Sequence, residues 1–349
     1  MASPPLLIRC DAGQDHGLGH LMRCLSLAES LRSIQGPIAQ FLMQAPEDIR
    51  QRVRDAGFFV SEASTSAGAD DQDCSEIIEW CHQNSGSKGQ KPWVVIDGKY
   101  ADPVALTPLA ETSRLICYDD YPYRDFPAAV IINSQPWTSE QDYPRRAERR
   151  ILAGARYNAL DPGYFAAAEK VNRQAVLITM GGEDPANDTA WIARTLRDQL
   201  AAYQVLVVIG PAHPDREGAC AAIAEHLPQA EIIYAPSSLV EMAERSFLAL
   251  SAGGTSCYEL QAAGVAVAAL AVEEHQIPFI EALEQCGGVV PLAGPSPISH
   301  SRPAEPARSI LRRLLSDSTW RNERVAKGKE LFPVPGGRYL AQSLMEILQ

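Results

Sequence analysis

Short apolar runs alternate with longer amphipathic segments along almost the whole chain. Runs such as LLIRC (6–10), WVVIDG (93–98) and AAVIINS (128–134) have the length and composition of buried strands. After the first run, apolar residues recur at helical spacing and predict a helix from about His20 to Ser33; they are Leu21, Cys24, Leu25, Leu27, Ala28 and Leu31. Strands that alternate with helices indicate an α/β fold built on mostly parallel sheets.

The alternation pauses at residues 151–174 and then restarts with strands such as AVLITMGG (175–182), which predicts two Rossmann-like α/β domains. We expect them to face each other across a cleft, where small ligands usually bind. The polar segment 64–90 is expected to form a surface helix and a flexible loop. The predicted parts are an N-terminal domain over 1–155, a linker over 156–172, a nucleotide-binding domain over 173–335 and a helix over 336–349 that packs back on the N-terminal domain.

Composition narrows the class of partner. The 349 residues carry a net charge of −12, which argues against nucleic acid or an anionic membrane surface as the main partner. No segment approaches the roughly 18–20 apolar residues of a membrane span, and the N-terminus lacks a signal-peptide pattern. The eight cysteines include no C-x-x-C pair, so we expect reduced thiols in a cytoplasmic protein. The oligomeric state stays open.

The stretch GLGH (17–20) follows the first strand and opens the first helix. Gly17 and Gly19 allow a tight turn and a close approach of the backbone to a substrate. His20 then stands at a helix N-terminus, where an imidazole can act as general base or acid. Asp11, at the end of the strand, is close enough in sequence to orient it. The alternative is a plain connecting turn in which His20 only caps the helix.

The stretch SAGGTSCYE (251–259) has the form of a phosphate cradle. A strand ends in two glycines, and Thr255 and Ser256 start the next helix, whose N–H groups favour anions. It lacks the lysine of a P-loop. Glu259, one turn into the helix, could accept hydrogen bonds from both ribose hydroxyls of a nucleotide. The alternative is a strand–helix turn with a capping hydroxyl.

Other polar residues follow further strands. Gly181 and Gly182 form a second Gly-Gly turn that either lines the cleft or only precedes a capped helix. Asp97 and Tyr100 after one strand are candidates for binding the sugar substrate, and Lys99 between them is a catalytic candidate. After another strand, His275 is a catalytic candidate and Gln276 a candidate for binding the nucleotide. No His, Cys and Asp spacing of a metal site supports a bound metal, so we expect none.

Five stretches in this order resemble a known family: IRCDAGQDHGLGHLMRCLSLAESLR, VVIDGKY, ICYDDYP, VLITMGGEDPAND and SAGGTSCYELQAAG followed by EEHQ. They are similar to the pseudaminic acid pathway hydrolases, which act on UDP-2,4-diacetamido-2,4,6-trideoxy-β-L-altropyranose. They are also similar to the related spore-coat polysaccharide glycosyltransferase-like proteins. The resemblance implies a GT-B fold, like that of the lipid II-forming N-acetylglucosamine transferase. It also implies UDP held mainly by the C-terminal domain, and no metal or other cofactor.

Residue by residue, the resemblance makes His20 the catalytic histidine, Glu259 the ribose contact and Gln276 the glutamine of an Asn-Gln pair. The loop around the diphosphate matches Ser251, Gly253, Gly254, Thr255 and Ser256. Two positions depart from the family. Its Asp-His-Tyr becomes Asp97-Gly98-Lys99 with Tyr100 displaced by one, and the Asn of Asn-Gln becomes His275. Both positions lie near the sugar in the family, so they bear on the sugar more than on the nucleotide.

The favoured function is therefore a UDP-sugar hydrolase of bacterial surface-sugar biosynthesis, in which water attacks the anomeric carbon and His20 takes its proton. A glycosyltransferase on the same scaffold is the alternative, motivated by Lys99, His275 and the C-terminal extension. A subunit that binds nucleotide sugar without turnover is the third. All three imply a UDP-sugar as the small-molecule partner, with no nucleic acid and no membrane insertion.

Overall fold

The computed structural model describes residues 4–13, 16, 18–85, 90–98, 101–120, 124–293 and 303–348. The chain forms two compact units. The first comprises Met1–Leu160 together with Pro335–Gln349, and the second comprises Asp161–Val334. Both are α/β units with parallel sheets, which confirms the predicted fold class. No helix of the described residues is long and apolar enough to cross a bilayer.

The first unit is built on a seven-stranded sheet of order β3-β2-β1-β4-β5-β6-β7, and all its strand pairs are parallel. Its strands are β1 (Leu6–Cys10), β2 (Ala39–Met43), β3 (Phe59–Glu62), β4 (Trp93–Asp97), β5 (Arg114–Tyr118), β6 (Val130–Asn133) and β7 (Arg150–Ala153). Its first helices are α1 (Gly19–Ser33), α2 (Glu47–Asp55), α3 (Asp71–Asn84) and α4 (Thr107–Thr112).

Helices cover both faces of this sheet, so its central strands are largely apolar on both sides, although β1 also carries the buried Arg9, which pairs with Asp11 and Asp73. Leu6, Ile8 and Cys10 belong to the core shared with α1, whereas Leu7 belongs to the core shared with α3 and α4. The same alternation holds in β4, where Trp93 and Val95 face the α1 side. Because successive strand residues point to opposite faces, this parity decides which polar residues at the strand ends meet α1.

The C-terminal end of the chain completes the core of the first unit. Helix α13 (Gly336–Leu348) places Leu340, Ala341 and Leu344 in the cluster that contains the buried face of α1. The two helices pack closely, since a Cβ at Gly337 would lie 2.6 Å from Ser30 Oγ. The last helix is therefore a part of the first unit, although 174 residues of the other unit precede it.

The second unit repeats the architecture with a six-stranded parallel sheet of order β10-β9-β8-β11-β12-β13. Its strands are β8 (Ala175–Thr179), β9 (Gln204–Ile209), β10 (Glu231–Tyr234), β11 (Ser246–Ala252), β12 (Ala266–Leu270) and β13 (Val289–Pro291). Its helices are α5 (Pro162–Ala167), α6 (Asp188–Leu200), α7 (Arg216–His226), α8 (Val240–Arg245), α9 (Thr255–Ala262), α10 (Gln276–Gln285), α11 (Ala304–Ser316) and α12 (Ser318–Leu331).

Two segments differ from the prediction. The stretch 151–174, expected to be irregular, contains the end of β7, a 3₁₀ helix at Ala155–Tyr157 and α5. Helix α3, expected on the surface, buries Cys74, Ile77 and Cys81, because two cysteines and one isoleucine supply its apolar stripe. Most of the loop expected after it, residues 86–89, lies outside the described residues.

Each sheet has one point at which the strand order reverses: between β1 and β4 in the first unit, and between β8 and β11 in the second. In open parallel sheets, ligands bind outside the carboxyl ends of the strands at such a point. The GLGH stretch follows β1 and Asp97 ends β4, while the two Gly-Gly stretches follow β8 and β11. The fold therefore places the candidate motifs at these two positions.

Candidate functional site

His20 and Asp97 form a hydrogen-bonded pair at the reversal point of the first sheet. His20 lies in the first turn of α1, and Asp97 is the last residue of β4, in register with Cys10 of β1. His20 Nδ1 lies 2.7 Å from Asp97 Oδ1. The Asp97 carboxyl is buried, whereas the His20 side chain keeps 20% of its surface exposed, so a reactant can reach the imidazole.

Arg23 and Asp120 complete what we call the His20 cluster: His20, Arg23, Asp97 and Asp120. Arg23 Nε donates to Asp97 Oδ2 and its Nη2 donates to Oδ1, both at 2.6 Å. The same guanidinium binds Asp120 at 2.8 and 3.0 Å and lies over the Tyr118 ring. Arg23 is three residues after His20 on the same helix face, and thus one turn of α1 carries both the imidazole and its support.

The charges in this cluster shift each other's proton affinity. The Asp97 carboxylate raises the pKa of His20 above its usual 6.5, although burial and Arg23 act in the opposite direction. Burial by itself would raise the pKa of Asp97, but Arg23 and His20 outweigh it and hold that pKa far below its usual range. Asp97 is therefore ionised at any physiological pH.

An ionised Asp97 fixes the tautomer of neutral His20. The carboxylate only accepts hydrogen bonds, and it lies at 2.7 Å from Nδ1 whereas the donor Arg23 Nη2 lies at 3.1 Å, so we assign the imidazole proton to Nδ1 and the lone pair to Nε2. A histidine oriented in this way by a buried carboxylate is the arrangement of a general base whose cationic form is stabilised.

The prediction that Asp11 orients His20 is wrong. Asp11 binds Arg9 and accepts hydrogen bonds from the backbone N–H groups of Gln44 and Ala67, at 2.9 and 2.7 Å. The reason is the alternation of β1: Cys10 faces α1, so Asp11 points to the opposite face of the sheet. Asp97, which we predicted to bind the sugar, has the orienting position instead.

The segment after β4 has a tight contact at Gly98. A Cβ on Gly98 would lie 2.2 Å from the carbonyl oxygen of Ala67. Only glycine fits there unless the backbone at Ala67 moves. Lys99, Tyr100 and Gly17 lie outside the described residues, so their predicted roles stay predictions. Gly19 is the first residue of α1.

In the second unit, α6 follows β8 and α9 follows β11, the two strands at the reversal point, but the two helices differ in how their N-termini are satisfied. Asp184 accepts from the backbone N–H groups of Asp188 and Thr189 at 2.6 and 2.9 Å, and Asn187 caps Ala190. The first turn of α9, which is described in full, has no capping side chain, and Gly254 is its N-cap. The N-terminus of α9 is therefore the one of the two left for an anion.

The two glycines before α9 have different reasons to be glycine. A Cβ on Gly253 would lie 2.6 Å from Ile280 Cδ1, so close packing of α10 requires it. A Cβ on Gly254 would meet nothing within 4 Å, and its φ of −147° suits any residue. No contact with the described residues requires a glycine at position 254. A ligand that lies close to the backbone at this position would require one.

The hydroxyls of this loop are not equivalent. Thr255 is exposed and Ser256 half-buried at the start of α9, as a phosphate contact requires. Ser251, predicted to contact the diphosphate, lies inside β11 with its side chain buried, and its hydroxyl donates to the carbonyl of Ala252 at 3.1 Å. Ser251 therefore belongs to the strand that supports the loop.

Glu259 is the acidic residue one turn further along α9. Burial raises its pKa to about 7, although a hydrogen bond from Tyr164 favours the ionised form and Asp161 opposes it. A carboxyl group with this pKa changes charge within the physiological range. Tyr164 comes from α5, in the stretch we expected to be a linker, and sequence analysis did not identify it.

The remaining predicted residues of this unit lie around the same strand ends. Gly181 has φ +82°, and the backbone oxygens of Gly181 and Gly182 pack within 2.4 Å of the position that a Cβ on Gly210 would take. Gln276 Oε1 accepts from the Val272 backbone N–H at 3.0 Å and so shapes the loop after β12. His275 is exposed and pairs with Glu273 at 2.9 Å.

Among the described residues, no group of three or more His, Cys, Asp or Glu side chains is arranged to hold a metal ion. The carboxylates of the His20 cluster are instead paired with Arg23.

Sequence comparison gives two partial relatives, and no protein-family model matches the chain. The chain is 24% identical over 220 residues to an uncharacterized protein of Methanocaldococcus jannaschii. The matched segment covers 59% of this chain. It is 28% identical over 150 residues, or 41% of its length, to the spore coat polysaccharide biosynthesis protein SpsG of Bacillus subtilis. The matched regions span 42% and 44% of those proteins, less than half of each.

Structural comparison extends over the whole chain. MurG of Acinetobacter baumannii superposes with a TM-score of 0.62 at 15% identity, over 99% of both chains. UDP-GlcNAc 2-epimerase of Neisseria meningitidis, bound to UDP-GlcNAc, gives 0.63 at 10% identity, over 98% of this chain and 100% of that one. The spinosyn rhamnosyltransferase SpnG with thymidine diphosphate gives 0.61 at 14%, over 98% and 100%. The fold is thus the GT-B fold of glycosyltransferases and nucleotide-sugar epimerases.

Proposed function

We propose that the protein cleaves a nucleotide sugar at the bond between the anomeric carbon and the diphosphate, with His20 as the general base. The observation that carries this proposal is the 2.7 Å hydrogen bond between His20 and a buried, ionised Asp97 at the reversal point of a parallel sheet. A histidine held in one tautomer, with a lone pair on its other nitrogen and part of its side chain exposed, is suited to take a proton from a nucleophile.

In this proposal, the second unit holds the nucleotide diphosphate. The uncapped N-terminus of α9, with Gly254, Thr255 and Ser256, faces the phosphates, and Glu259 accepts from the ribose hydroxyls. The helix N-terminus then stabilises the negative charge that grows on the departing diphosphate. UDP is the first choice of nucleotide, because the sequence resembles UDP-sugar enzymes and one structural neighbour holds UDP-GlcNAc.

Hydrolysis is the first candidate reaction. A water oxygen attacks the anomeric carbon and forms the new C–O bond, while His20 Nε2 takes a proton from that water. The bond to the diphosphate breaks, and its electron pair leaves with UDP. General-base catalysis of this kind contributes about 10²–10⁴-fold. Asp97 stabilises the imidazolium that forms, and Arg23 keeps Asp97 in place.

Transfer to an acceptor is the second candidate, and the comparisons favour it at least as strongly. SpsG is a polysaccharide biosynthesis protein, and two of the structural neighbours are MurG and a rhamnosyltransferase. The chemistry at His20 is the same, except that the nucleophile is an acceptor hydroxyl or amine. The two reactions differ in whether UDP release requires an acceptor.

An ¹⁸O experiment separates these candidates. The protein is incubated in ¹⁸O-water with UDP-2,4-diacetamido-trideoxyhexoses or UDP-GlcNAc, without acceptor. The ¹⁸O content of the released sugar and of UDP is then measured by mass spectrometry. Label on the released sugar and none on UDP establishes hydrolysis. UDP binding without release, followed by release once an acceptor is added, establishes transfer. Binding without release under any acceptor contradicts the enzymatic proposal.

A further inference from the structure

Arg9 is a fully buried arginine of β1, on the face of the first sheet opposite the His20 cluster. The strand alternates, so Arg9 lies on the same side as Leu7, toward α3. Its Nε donates to Asp73 Oδ1 of α3 at 2.6 Å, and its Nη1 donates to Asp11. Both carboxylates are buried as well. We call these three residues the Arg9 triad. Buried charges must be paired, so each member of the triad has a fixed place.

Each member of the Arg9 triad also binds the backbone of one loop, which we call the 65–68 loop. The contacts are hydrogen bonds to main-chain groups: from Arg9 Nη2 to the Thr65 carbonyl, from the Ala67 N–H to Asp11 Oδ2 at 2.7 Å, and from the Gly68 N–H to Asp73 Oδ2 at 2.7 Å. An irregular loop lacks the regular hydrogen bonds of a helix or a sheet, so these bonds hold its backbone in place.

The 65–68 loop packs against both neighbours of Asp97 in the chain. A Cβ on Gly98 would lie 2.2 Å from the Ala67 carbonyl oxygen, so the two backbones are in direct contact. On the other side, the position of a Cβ on Gly68 lies 3.0 Å from Ile96 Cγ2. The loop therefore forms the surface on which the end of β4 rests.

The backbone of Asp97 depends on this surface because the sheet supports it from one side. The pairing of β4 with β5 ends at Ile96 and Cys117, whereas Asp97 still pairs with Cys10 of β1. Successive residues point to opposite faces, so the Asp97 carboxylate projects toward α1 while Gly98 rests on the 65–68 loop. The position of the loop therefore determines where Asp97 presents its carboxylate.

We propose that the Arg9 triad positions Asp97 for its hydrogen bond to His20, and that it acts through the 65–68 loop and Gly98. Arg23 holds the Asp97 carboxylate from the α1 side, and the triad holds the backbone of Asp97 from the other side of the sheet. Asp11 is thus a positioning residue that acts on His20 without touching it. The effect on turnover rests on the proposed function, because it takes His20 as the base.

The test is an NMR titration of the His20 imidazole in the free protein, with its signal identified by its absence in His20→Ala. The Asp97 carboxylate is the largest cause that raises the pKa of His20 above 6.5. Burial and Arg23 lower this pKa, and Asp120 raises it. A displaced Asp97 therefore lets the pKa of His20 fall, which makes this pKa a measure of where Asp97 lies.

Three variants disturb the support of Asp97 in different ways: Asp11→Asn, Arg9→Met and Gly98→Ala. We expect the pKa of His20 to fall in all three. The loss of charge alone predicts a different result, since removal of the Arg9 cation would raise this pKa and removal of the Asp11 anion would lower it. Gly98→Ala changes no charge, and its Cβ would push the 65–68 loop and β4 apart. It also decides the test if the triad variants do not fold.

Asp184→Asn is the matched control. Asp184 is a buried carboxylate of the second unit that also accepts from two backbone N–H groups, and its loss should leave the pKa of His20 unchanged. With a nucleotide sugar as substrate, we expect kcat to fall roughly 10²-fold in the three variants, as for a misplacement of about 1 Å, while the Kd for UDP stays at the wild-type value.

An unchanged pKa of His20 in the folded variants overturns the inference, and so does a rise in Arg9→Met. If the pKa falls as expected but the wild type turns over no nucleotide sugar, the positioning by the triad is supported and the proposed function is overturned.

Discussion

His20 Nδ1 and Asp97 Oδ1 lie 2.7 Å apart, although the two residues are 77 positions apart in the chain. The first turn of α1 and the end of β4 meet there because β1 and β4 are neighbours at the reversal point of the sheet. Arg23, one turn further along α1, holds both oxygens of the same carboxylate. The carboxylate that orients the imidazole is thus itself fixed by Arg23, and Nε2 of His20 keeps its lone pair for chemistry.

Asp97→Asn is expected to reduce turnover by about 10²–10⁴-fold, because the amide no longer stabilises the imidazolium and can present its NH₂ group to Nδ1. The carboxylate raises the pKa of His20, so its removal lowers that pKa. The acidic limb of kcat/KM therefore moves to lower pH in the variant. The check is a pH–rate profile, with Asp198→Asn, which is 87% exposed on α6, as control. A full-rate variant with an unshifted limb would remove Asp97 from the mechanism.

Arg23→Met is expected to destabilise the protein by about 3–5 kcal/mol, because it leaves the buried Asp97 charge without its partner. The folded pKa of Asp97 lies below the unfolded value, so this stabilisation is present above pH 3.8 and is lost as the pH falls through the lower folded value. Urea unfolding at pH 7 and at acidic pH measures both effects.

Arg54→Met is the control for this variant, since its partner Glu47 is exposed and exposed ion pairs contribute little to stability. Equal losses in the free energy of unfolding for Arg23→Met and Arg54→Met would show that the buried ion pair stabilises the protein no more than the exposed one.

Gly254→Ala is expected to weaken UDP binding by roughly tenfold or more, because the added methyl group displaces a phosphate hydrogen bond. The midpoint of thermal unfolding is expected to stay unchanged. A Cβ at this position meets no atom of the described residues within 4 Å, and the backbone angles allow alanine. The substitution should therefore change ligand binding and not the stability of the fold. Gly253→Ala should behave in the opposite way, since its Cβ would strike Ile280 and lower stability. Calorimetry with UDP and thermal unfolding of both variants give the comparison; unimpaired UDP binding by Gly254→Ala would place the phosphates elsewhere.

Much of the fold could be predicted from the chain because its strands are near-continuous apolar runs, as buried parallel strands must be. LLIRC begins and ends where β1 does, and WVVIDG begins with β4 and runs one residue past its end. The strand β7 was missed, since RILA is four residues long and only Leu152 is fully buried. Tyr164 was missed for a related reason: short helices such as α5 give too few residues for a periodic signal.

Only those site residues that have a local signal in the sequence could be predicted. The GLGH turn identified His20, but sequence proximity suggested Asp11 as its partner. Strand alternation would have corrected this, because Trp93, Val95 and Asp97 share the face of β4 that packs on α1, whereas Asp11 does not share the face of Cys10. The roles of Arg23 and Asp120 depend on strand order, which a single sequence does not reveal.

The measurement that tests the central claim most directly compares turnover and UDP binding in His20→Ala and His82→Ala. His82 is an exposed residue of α3, so its variant controls for the loss of a histidine. We predict that His20→Ala loses about 10²–10⁴-fold in turnover of the nucleotide sugar, while its Kd for UDP and the activity of His82→Ala stay at the wild-type values. Unchanged turnover in His20→Ala would contradict the assignment of His20 as the base.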